Sequence, residues 1–510
     1  MYLLGLSCFE RDSAACLVCD GRVVAAVEEE RLTRQKHESR FPENALRAVL
    51  KQEGITGARL DAVAICYLPQ SQQETDLMVG LQDACGFRGA VTFHDHILSH
   101  AAATYFTAPC DEAAVLILDD AQSALFHGRG VEITQLPDAL PRWPLGCFCA
   151  AVTQYLGFKP YEGEYKVMGL APYGEPAHLD ALRALMTQSG GASELAMRWG
   201  HPRHPEDDLQ QIHKDLAASL QKLIEETVLA LAQVAKEKTG AKHLCLGGAL
   251  AHNVVANAQL AESNLFDSVF IHFASGNAGC AIGAALQAYA TKTECKPRLT
   301  PSLTPYLGPE YTEDEIFAAI ENSGFTYEKL DRAGLLDRAA RALNDGQVVA
   351  WFQGRMEFGP RALGNRSLLA SASCATMKDF LNESIKHREP FRPFAPAVLA
   401  EDADDYFTLK GDGATMLYAA QVKLDKRAAL PAATHSDGSA RPQIVRREDN
   451  ALFYDLITEY KVLSKVPAVI NTSFNVRGEP IVCSPQDALA CYANTEIPYL
   501  AIGSFLVKKA

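Results

Sequence analysis

Three arginines, Arg355, Arg361 and Arg366, stand within twelve residues of one another. They belong to Gly354-Arg355-Met356-Glu357-Phe358-Gly359-Pro360-Arg361-Ala362-Leu363-Gly364-Asn365-Arg366-Ser367, which follows an apolar, strand-like run at 348–352. Glycine and proline here set up tight turns that leave backbone amides exposed. A second basic run, Lys386-His387-Arg388-Glu389-Pro390-Phe391-Arg392-Pro393-Phe394, comes close behind. Between 351 and 397 there are seven Lys/Arg against four Asp/Glu, in a chain of formal charge −14. Guanidinium forks beside free amides suit a planar or tetrahedral anion, so the island predicts a site for a phosphate-bearing small molecule. An ordinary salt-bridged surface is the plainer alternative, and the Gly/Pro punctuation favours the anion.

A second chemistry is written in His96 and His100. Four residues apart, ahead of the helical run 101–106, they share one helix face and can bind one metal. A third ligand is needed, and Asp119, at the end of the apolar strand 113–118, supplies a carboxylate. Asn277 is a poorer ligand, because an amide oxygen lacks that charge. The segment 162–174, which holds Lys166, is dense in turn formers, yet Val167-Met168-Gly169-Leu170 is too apolar for a surface loop and predicts a loop lining an active site. Near the C-terminus an apolar strand at 466–470 runs into Asn471-Thr472-Ser473-Phe474-Asn475-Val476-Arg477-Gly478-Glu479-Pro480. Amides, an arginine and a carboxylate at a central strand's end make a small-molecule site.

These groups need a scaffold. The chain opens as a meander, with strands at 3–8, 13–19 and 22–27 and Asp20-Gly21 as a two-residue turn. The first connection carries Arg11-Asp12-Ser13, placed to handle phosphate, and Glu28-Glu29-Glu30-Arg31 closes the third strand. A long amphipathic helix is predicted over 209–236. A strand at 243–246 then meets Gly247-Gly248. Another at 268–273 meets a turn holding Gly276 and Asn277, which opens a helix at 280–290. Two strand–glycine–helix units with free amides predict a nucleotide cleft, with Lys166 beside it. Proline-rich 296–309 reads as an interdomain linker, and from 311 the chain has its own strands at 348–352, 416–422 and 466–470. No fixed-period repeat is present.

A length of 510 residues predicts two to four domains, and 48% hydrophobic with 22% charged residues is ordinary for a globular protein. The acidic balance excludes a general nucleic-acid binder. The absence of a membrane-length apolar run and of a basic leader predicts a soluble, cytoplasmic protein. The 14 cysteines lie mostly in apolar runs, as reduced core thiols do. Cys16 and Cys19, three apart on a strand, face opposite sides and are not expected to share a metal.

The whole chain resembles the O-carbamoyltransferases of the NodU and tobramycin-carbamoyltransferase family. The resemblance is carried by FERDSAACLVCDGRVVAAVEEERLTRQKH, HDHILSHAAATYF, EGEYKVMGLAPYG, GRMEFGPRALGNRS, KHREPFRPFAP and NTSFNVRGEPIV. It implies an α/β fold in two domains. Residues 1–296 would be a carbamoyl-transfer domain like the tRNA threonylcarbamoyl-transfer enzyme, with the fold of actin and the heat-shock ATPases. Residues 297–310 would be a linker, and 311–510 a YrdC-like domain with a twisted open sheet. In the second domain carbamoyl phosphate yields carbamate, which attacks the α-phosphate of ATP, with Mg²⁺, to give carbamoyl adenylate and pyrophosphate. In the first, a hydroxyl of a small natural-product acceptor takes the carbamoyl group and AMP leaves.

By motif match, Arg355, Arg361, Lys386, Arg392, Asn471, Asn475 and Arg477 hold carbamoyl phosphate and ATP. Fe²⁺ or another divalent ion is held by His96, His100 and Asp119. Asp12, His96, Arg361 and Lys386 are implied in catalysis. Three departures fall in the transfer site. Arg11 stands where the family has histidine, Asp119-Asp120-Ala121-Gln122-Ser123 replaces Asp-Gly-x-Gly-Glu, and Asn277 replaces aspartate. Two other readings follow: a tRNA-modifying threonylcarbamoyl enzyme, which the acidic charge opposes, and a non-catalytic nucleotide-binding partner, which the intact 162–174 motif and the two histidines oppose. A homodimer with no nucleic-acid or membrane partner completes the expectation.

Overall fold

The first two strands of the chain are buried on both faces, so they must sit inside a sheet covered on both sides. The computed structural model describes every residue except 67–70, 121, 141–144, 189–190, 298–302 and 510, and the backbone alone of 71–74. β1 (Tyr2–Ser7), β2 (Ala14–Cys19), β3 (Arg22–Glu28), β4 (Ala62–Cys66) and β5 (Val91–His94) form a sheet ordered β3-β2-β1-β4-β5. β1 runs antiparallel to β2 and parallel to β4. A second sheet contains β6 (Glu112–Leu118), β7 (Ser123–Arg129), β8 (Glu132–Gln135), β9 (His243–Gly247) and β10 (Ser268–Ile271). Its order, β10-β9-β6-β7-β8, and its strand senses repeat those of the first. The topology is therefore duplicated where the amino acids show no repeat.

The helices His96–Phe106 and Cys280–Thr293 pack together beside both sheets. Their backbones touch: a Cβ on Gly283 would lie 1.8 Å from the Ser99 carbonyl oxygen, so only glycine fits there. That approach fixes the histidine-bearing helix against the turn that holds Asn277.

Eleven further strands follow: β11 (Thr326–Lys329), β12 (Val349–Phe352), β13 (Arg366–Ser371), β14 (Ala395–Leu399), β15 (Phe407–Thr408), β16 (Ala420–Val422), β17 (Ser439–Ala440), β18 (Gln443–Val445), β19 (Ala468–Ser473), β20 (Tyr499–Ile502) and β21 (Phe505–Lys508). Eight make a mixed sheet, β11-β21-β20-β12-β13-β19-β14-β18, and β15-β16-β17 make a small antiparallel one. The chain is thus built of mixed α/β layers. Among the described residues no helix is long and apolar enough to cross a membrane.

Two expectations change. The run 416–422 is a strand only at Ala420–Val422. Met416 has φ 60°, and Leu417 and Tyr418 leave the sheet to join the core cluster around the long helix Gln211–Thr239. Tyr418 Oη donates to the Val269 carbonyl at 2.8 Å, and the Ala419 amide donates to the Val254 carbonyl at 2.9 Å. Leu417 and Tyr418 are both buried in the other half, and that burial of apolar area outweighs lengthening a short strand by two residues. The segment expected to be a linker lies partly outside the described residues, at 298–302. Beyond that gap it is pinned rather than free: Leu307 is buried, its carbonyl accepts from the Ala26 amide, and Met356 exchanges amide and carbonyl bonds with Pro309 and Gly308.

The buried arginines of 354–367 serve this junction. Arg355 Nη2 donates to the Val24 and Leu307 carbonyls, both at 2.8 Å. Arg366, fully buried over the Phe352 ring, donates to the carbonyls of Gln353, Asn365, Pro309, Gly354 and Cys483. Neither faces an anion. Both fill the need of buried carbonyls that no strand partner reaches. Because a lysine ammonium cannot span that fork, Arg366→Lys is expected to lower stability by about 2–4 kcal/mol, read as a drop in the urea unfolding midpoint.

Candidate active site

His96 opens its helix after Asp95, whose side chain caps the Leu98 amide, and His100 follows one turn later. β6 delivers Asp119 to the same point. His96 Nε2 lies 3.1 Å from Asp119 Oδ2 and 3.2 Å from His100 Nε2, and His100 Nε2 is 3.7 Å from Asp119 Oδ1. Such spacing suits donors gathered around one divalent ion at about 2.1 Å each. Burial opposes a charge on His96, yet Asp119, Cys66 and Glu10 raise its pKa to about 11. The spot therefore draws positive charge, as a metal site must. Burial pushes His100 down to about 4, leaving it neutral and able to ligate, and Asn277 hydrogen-bonds it. Against burial, the two histidines and the Ala249 amide hold the Asp119 carboxyl well below the usual range. That amide, which donates to Asp119 Oδ1 at 3.1 Å, follows Gly247-Gly248, so in this structure those glycines serve Asp119. Gly276 leads into the turn Asn277–Gly279, with His252 alongside.

A second group sits at the first meander connection. Asp12 Oδ1 is 2.8 Å from His37 Nδ1. Burial raises the Asp12 carboxyl, but the His37 bond outweighs it and the net shift is downward. The same bond raises His37. Arg11 pairs with Asp120 and stacks on Tyr161. His37 was not singled out from the sequence, although it ends the quoted TRQKH run. Of the altered 119–123 segment, Ala121 lies outside the described residues.

The third group is a cluster of arginines. Arg361 is half-buried, its Nε has no partner, and no carboxylate pairs with it among the described residues. Burial and then the nearby Arg392 charge lower its pKa to about 10, although Tyr165 opposes the shift. Arg441, just after β17, also has no acceptor among the described residues. Burial and the charges of Arg361, Arg388 and Arg392 press it well below the usual value. Arg388 is lowered to about 9 by burial and Arg392. Arg392 stacks on Tyr165, and its carboxylate neighbour Glu389, 3.7 Å away, is already bonded to Lys166 at 3.0 Å. Arg441 and Arg388 were missed in the sequence. A lone arginine between Gly438 and Pro442 gives no local signal, whereas Arg388 lay within a run already noted. His252, pushed to about 3 by burial and then the Arg361 charge, feels His100 and Asp12 as well. It thus stands within electrostatic reach of both the arginines and the histidine cluster.

Other expected residues are placed differently. Segment 162–174 is a short helix, Glu164–Leu170, running into a 3₁₀ turn, rather than a loop. Its Gly169 lies against Pro393 and Phe391, and its Lys166 reaches Glu389. Lys386 is buried and donates to the Ser473 carbonyl at 2.5 Å and to both Asn475 oxygens at 2.9 Å. It thus organises the end of β19 instead of presenting a free ammonium. Asn471 donates to Gln443 Oε1 at 2.7 Å and keeps a buried, unpartnered Oδ1. Asn475 turns its amide onto Glu479, and Arg477 is exposed, bonded to the His387 carbonyl.

Comparison with known proteins adds a further finding. A family model described as carbamoyltransferase N-terminus matches residues 2–78 and 72–286, and one described as carbamoyltransferase C-terminus matches 340–509. The chain is 37% identical over 600 residues to an uncharacterized protein, sll1178, of Synechocystis sp., covering 100% of this chain and 97% of that one. It is 36% identical over 544 residues to nodulation protein NolNO of Sinorhizobium fredii, covering 98% and 79%. Among solved structures, full-length HypF in its phosphate- and nucleotide-bound form aligns with a TM-score of 0.34 at 10% identity, over 57% of this chain and 56% of that one, a likeness too weak to argue from.

The two kinds of arginine separate in a thermal melt. Arg361→Ala, which removes an uncompensated buried charge, is expected to leave the melting temperature unchanged or raised. Arg355→Ala, which strands carbonyls at the junction, is expected to lower it. Pyrophosphate is expected to stabilise the wild type and not the Arg361 variant.

Proposed function

This chain belongs to the carbamoyltransferase family and is a carbamoyl-transferring enzyme, and we propose that it acts in two stages, from carbamoyl phosphate and ATP to a carbamoylated hydroxyl on a small-molecule acceptor. The observation that carries the reading is the set Arg361, Arg388, Arg392 and Arg441, a partly buried group of cations short of counter-ions. Such a group is unfavourable until a polyanion enters it.

In this reading the C-terminal half is the YrdC-like adenylating domain. Water cleaves carbamoyl phosphate there into carbamate and phosphate, and a carbamate oxygen then attacks the α-phosphorus of ATP. Pyrophosphate leaves, with Mg²⁺ accompanying the triphosphate. Arg361 and Arg441 offset the charge that develops on the phosphoryl oxygens, while Lys386 holds Ser473 and Asn475 in place. The duplicated sheets of the N-terminal half are read as the actin and heat-shock-ATPase type, closing over the adenylate. Enclosure matters because carbamoyl adenylate would hydrolyse in open water.

Transfer follows beyond His252. His96, His100 and Asp119 would hold a divalent ion, which supplies Lewis-acid polarisation of the carbonyl or phosphate when bound. The acceptor oxygen attacks the carbamoyl carbon, its proton passes to His37 Nε2, and AMP departs. Asp12 orients His37 through Nδ1 and stabilises the imidazolium as it forms. Arg11, tied to Asp120, is not available for this task.

Pyrophosphate release that requires carbamoyl phosphate is the test of the first stage. Arg361→Ala is expected to slow it roughly 100-fold, the loss of one desolvated charge contact. Release independent of carbamoyl phosphate, or untouched by that variant, would overturn the assignment. For the second stage, the raised His37 pKa means the neutral base is lost as pH falls through it. Acceptor carbamoylation is therefore expected to decline on the acid side, and Asp12→Asn is expected to move that limb to lower pH. His37→Gln is expected to remove transfer while sparing pyrophosphate release.

A further inference from the structure

The His96 ring has two edges. Nε2 faces His100 and Asp119, while Nδ1 faces a different set of residues that the reaction above does not use. Cys66, the last residue of β4, brings its Sγ to 3.7 Å from Nδ1. Cys280, the first residue of the helix Cys280–Thr293, adds a second thiol, and the three donor atoms all lie within 4.8 Å of one another. Glu10 Oε2 is 3.2 Å from Nδ1. We propose that Cys66, Cys280 and His96 Nδ1, closed by the Glu10 carboxylate, form a second metal site for a thiophilic divalent cation of the zinc type. This inference stands apart from the two-stage reaction and does not rest on it.

Zinc bonds of about 2.3 Å to sulfur and about 2.0–2.1 Å to nitrogen place neighbouring donors roughly 3.5–3.8 Å apart. The Cys66–His96 pair already has that spacing, and the three donors Cys66, Cys280 and His96 need to close by no more than about 1 Å. Access is provided: Cys66 and Cys280 are buried against Ala64 and Ala284, whereas the Glu10 side chain is 49% exposed and opens the site to solvent. The donor types divide the two edges of the ring. Imidazole and carboxylate at Nε2 suit a harder ion, and two sulfurs at Nδ1 select a softer one.

Buried thiols elsewhere in the chain behave as apolar side chains. Burial pushes Cys8, Cys16 and Cys149 up, away from thiolate. Cys66 and Cys280 differ from these in geometry, because their sulfurs are gathered with a ring nitrogen of His96 rather than packed among apolar groups alone. As metal enters, the two thiol protons and the Nδ1 proton of the His96 imidazolium leave to solvent, and two sulfur–metal bonds and one nitrogen–metal bond replace them.

Cobalt(II) is the probe. Full-length protein, reduced and stripped of metal, is titrated with Co²⁺ without oxygen, and its absorption is recorded. The expected result is a near-ultraviolet thiolate-to-cobalt charge-transfer band. It is lost in Cys66→Ser and in Cys280→Ser, retained in Asp119→Asn, and erased by Zn²⁺. Should a serine variant fail to fold, wild-type protein gives the same answer: Zn²⁺ is expected to protect Cys66 and Cys280 from alkylation, read peptide by peptide by mass spectrometry. A spectrum with only weak visible bands that vanish in Asp119→Asn would overturn the proposal. So would a charge-transfer band that survives both serine substitutions, or alkylation of the two cysteines indifferent to Zn²⁺.

Discussion

Gly359 has both of its backbone polar groups held by buried charge. Its N–H donates to Glu28 Oε1 at 2.8 Å, and its carbonyl accepts from Arg31 Nη2 at 3.0 Å. Arg31 is itself paired with Glu30 at 2.7 Å. Buried ions are costly unless paired and bonded; this set is paired, but Glu28 Oε2 and Arg31 Nε stay buried without a partner. It fixes position more than it adds stability. Gly359 has φ 112°, a conformation that a side chain would strain, and Arg361 follows two residues later. Arg34, at the end of the same short helix, donates to the carbonyls of Ile481 and Pro480 at 2.6 and 2.8 Å. The helix after β3 thereby suspends two loops of the C-terminal half, 354–367 and 471–483. The distance between the arginine pocket and the histidine cluster depends on that suspension.

The sequence was most legible where function leaves a local mark. The HxxxH pair with Asp119, the two strand–glycine–helix turns and the Arg361 segment all stand where spacing and turn chemistry put them. It was least legible where a side chain's task depends on distant carbonyls. Arg355, Arg361 and Arg366 look alike in the chain, yet two are enclosed by oxygens of Val24, Leu307, Pro309 and Cys483 and only one is free. Lys386 reads as a phosphate ligand until the end of β19 folds over it. The helix at 164–170 is hidden by the glycines around it, of which Gly174 is required by the close approach of the Lys214 backbone. Arg441 has no motif at all.

The electrostatics are inverted relative to the chain as a whole. A protein of net charge −14 keeps a patch of guanidiniums unneutralised in a half-buried junction. Natural stability optimisation would supply a carboxylate there. The nearest, Glu389, is instead directed to Lys166, on the helix from the other half. The arginine cluster and the contact between halves therefore share one carboxylate.

Leu417 and Tyr418 belong to the core of the N-terminal half but are encoded near the end of the chain. Asn257 Nδ2 waits for the Leu417 carbonyl, which it meets at 2.9 Å, and Val269 for the Tyr418 hydroxyl. During synthesis the first half leaves the ribosome with that socket open. It cannot complete its packing until residue 418 has emerged, when most of the protein has been translated. Folding in the order of synthesis therefore leaves the first half with an unfilled socket, and its last packing step waits for a segment of the second.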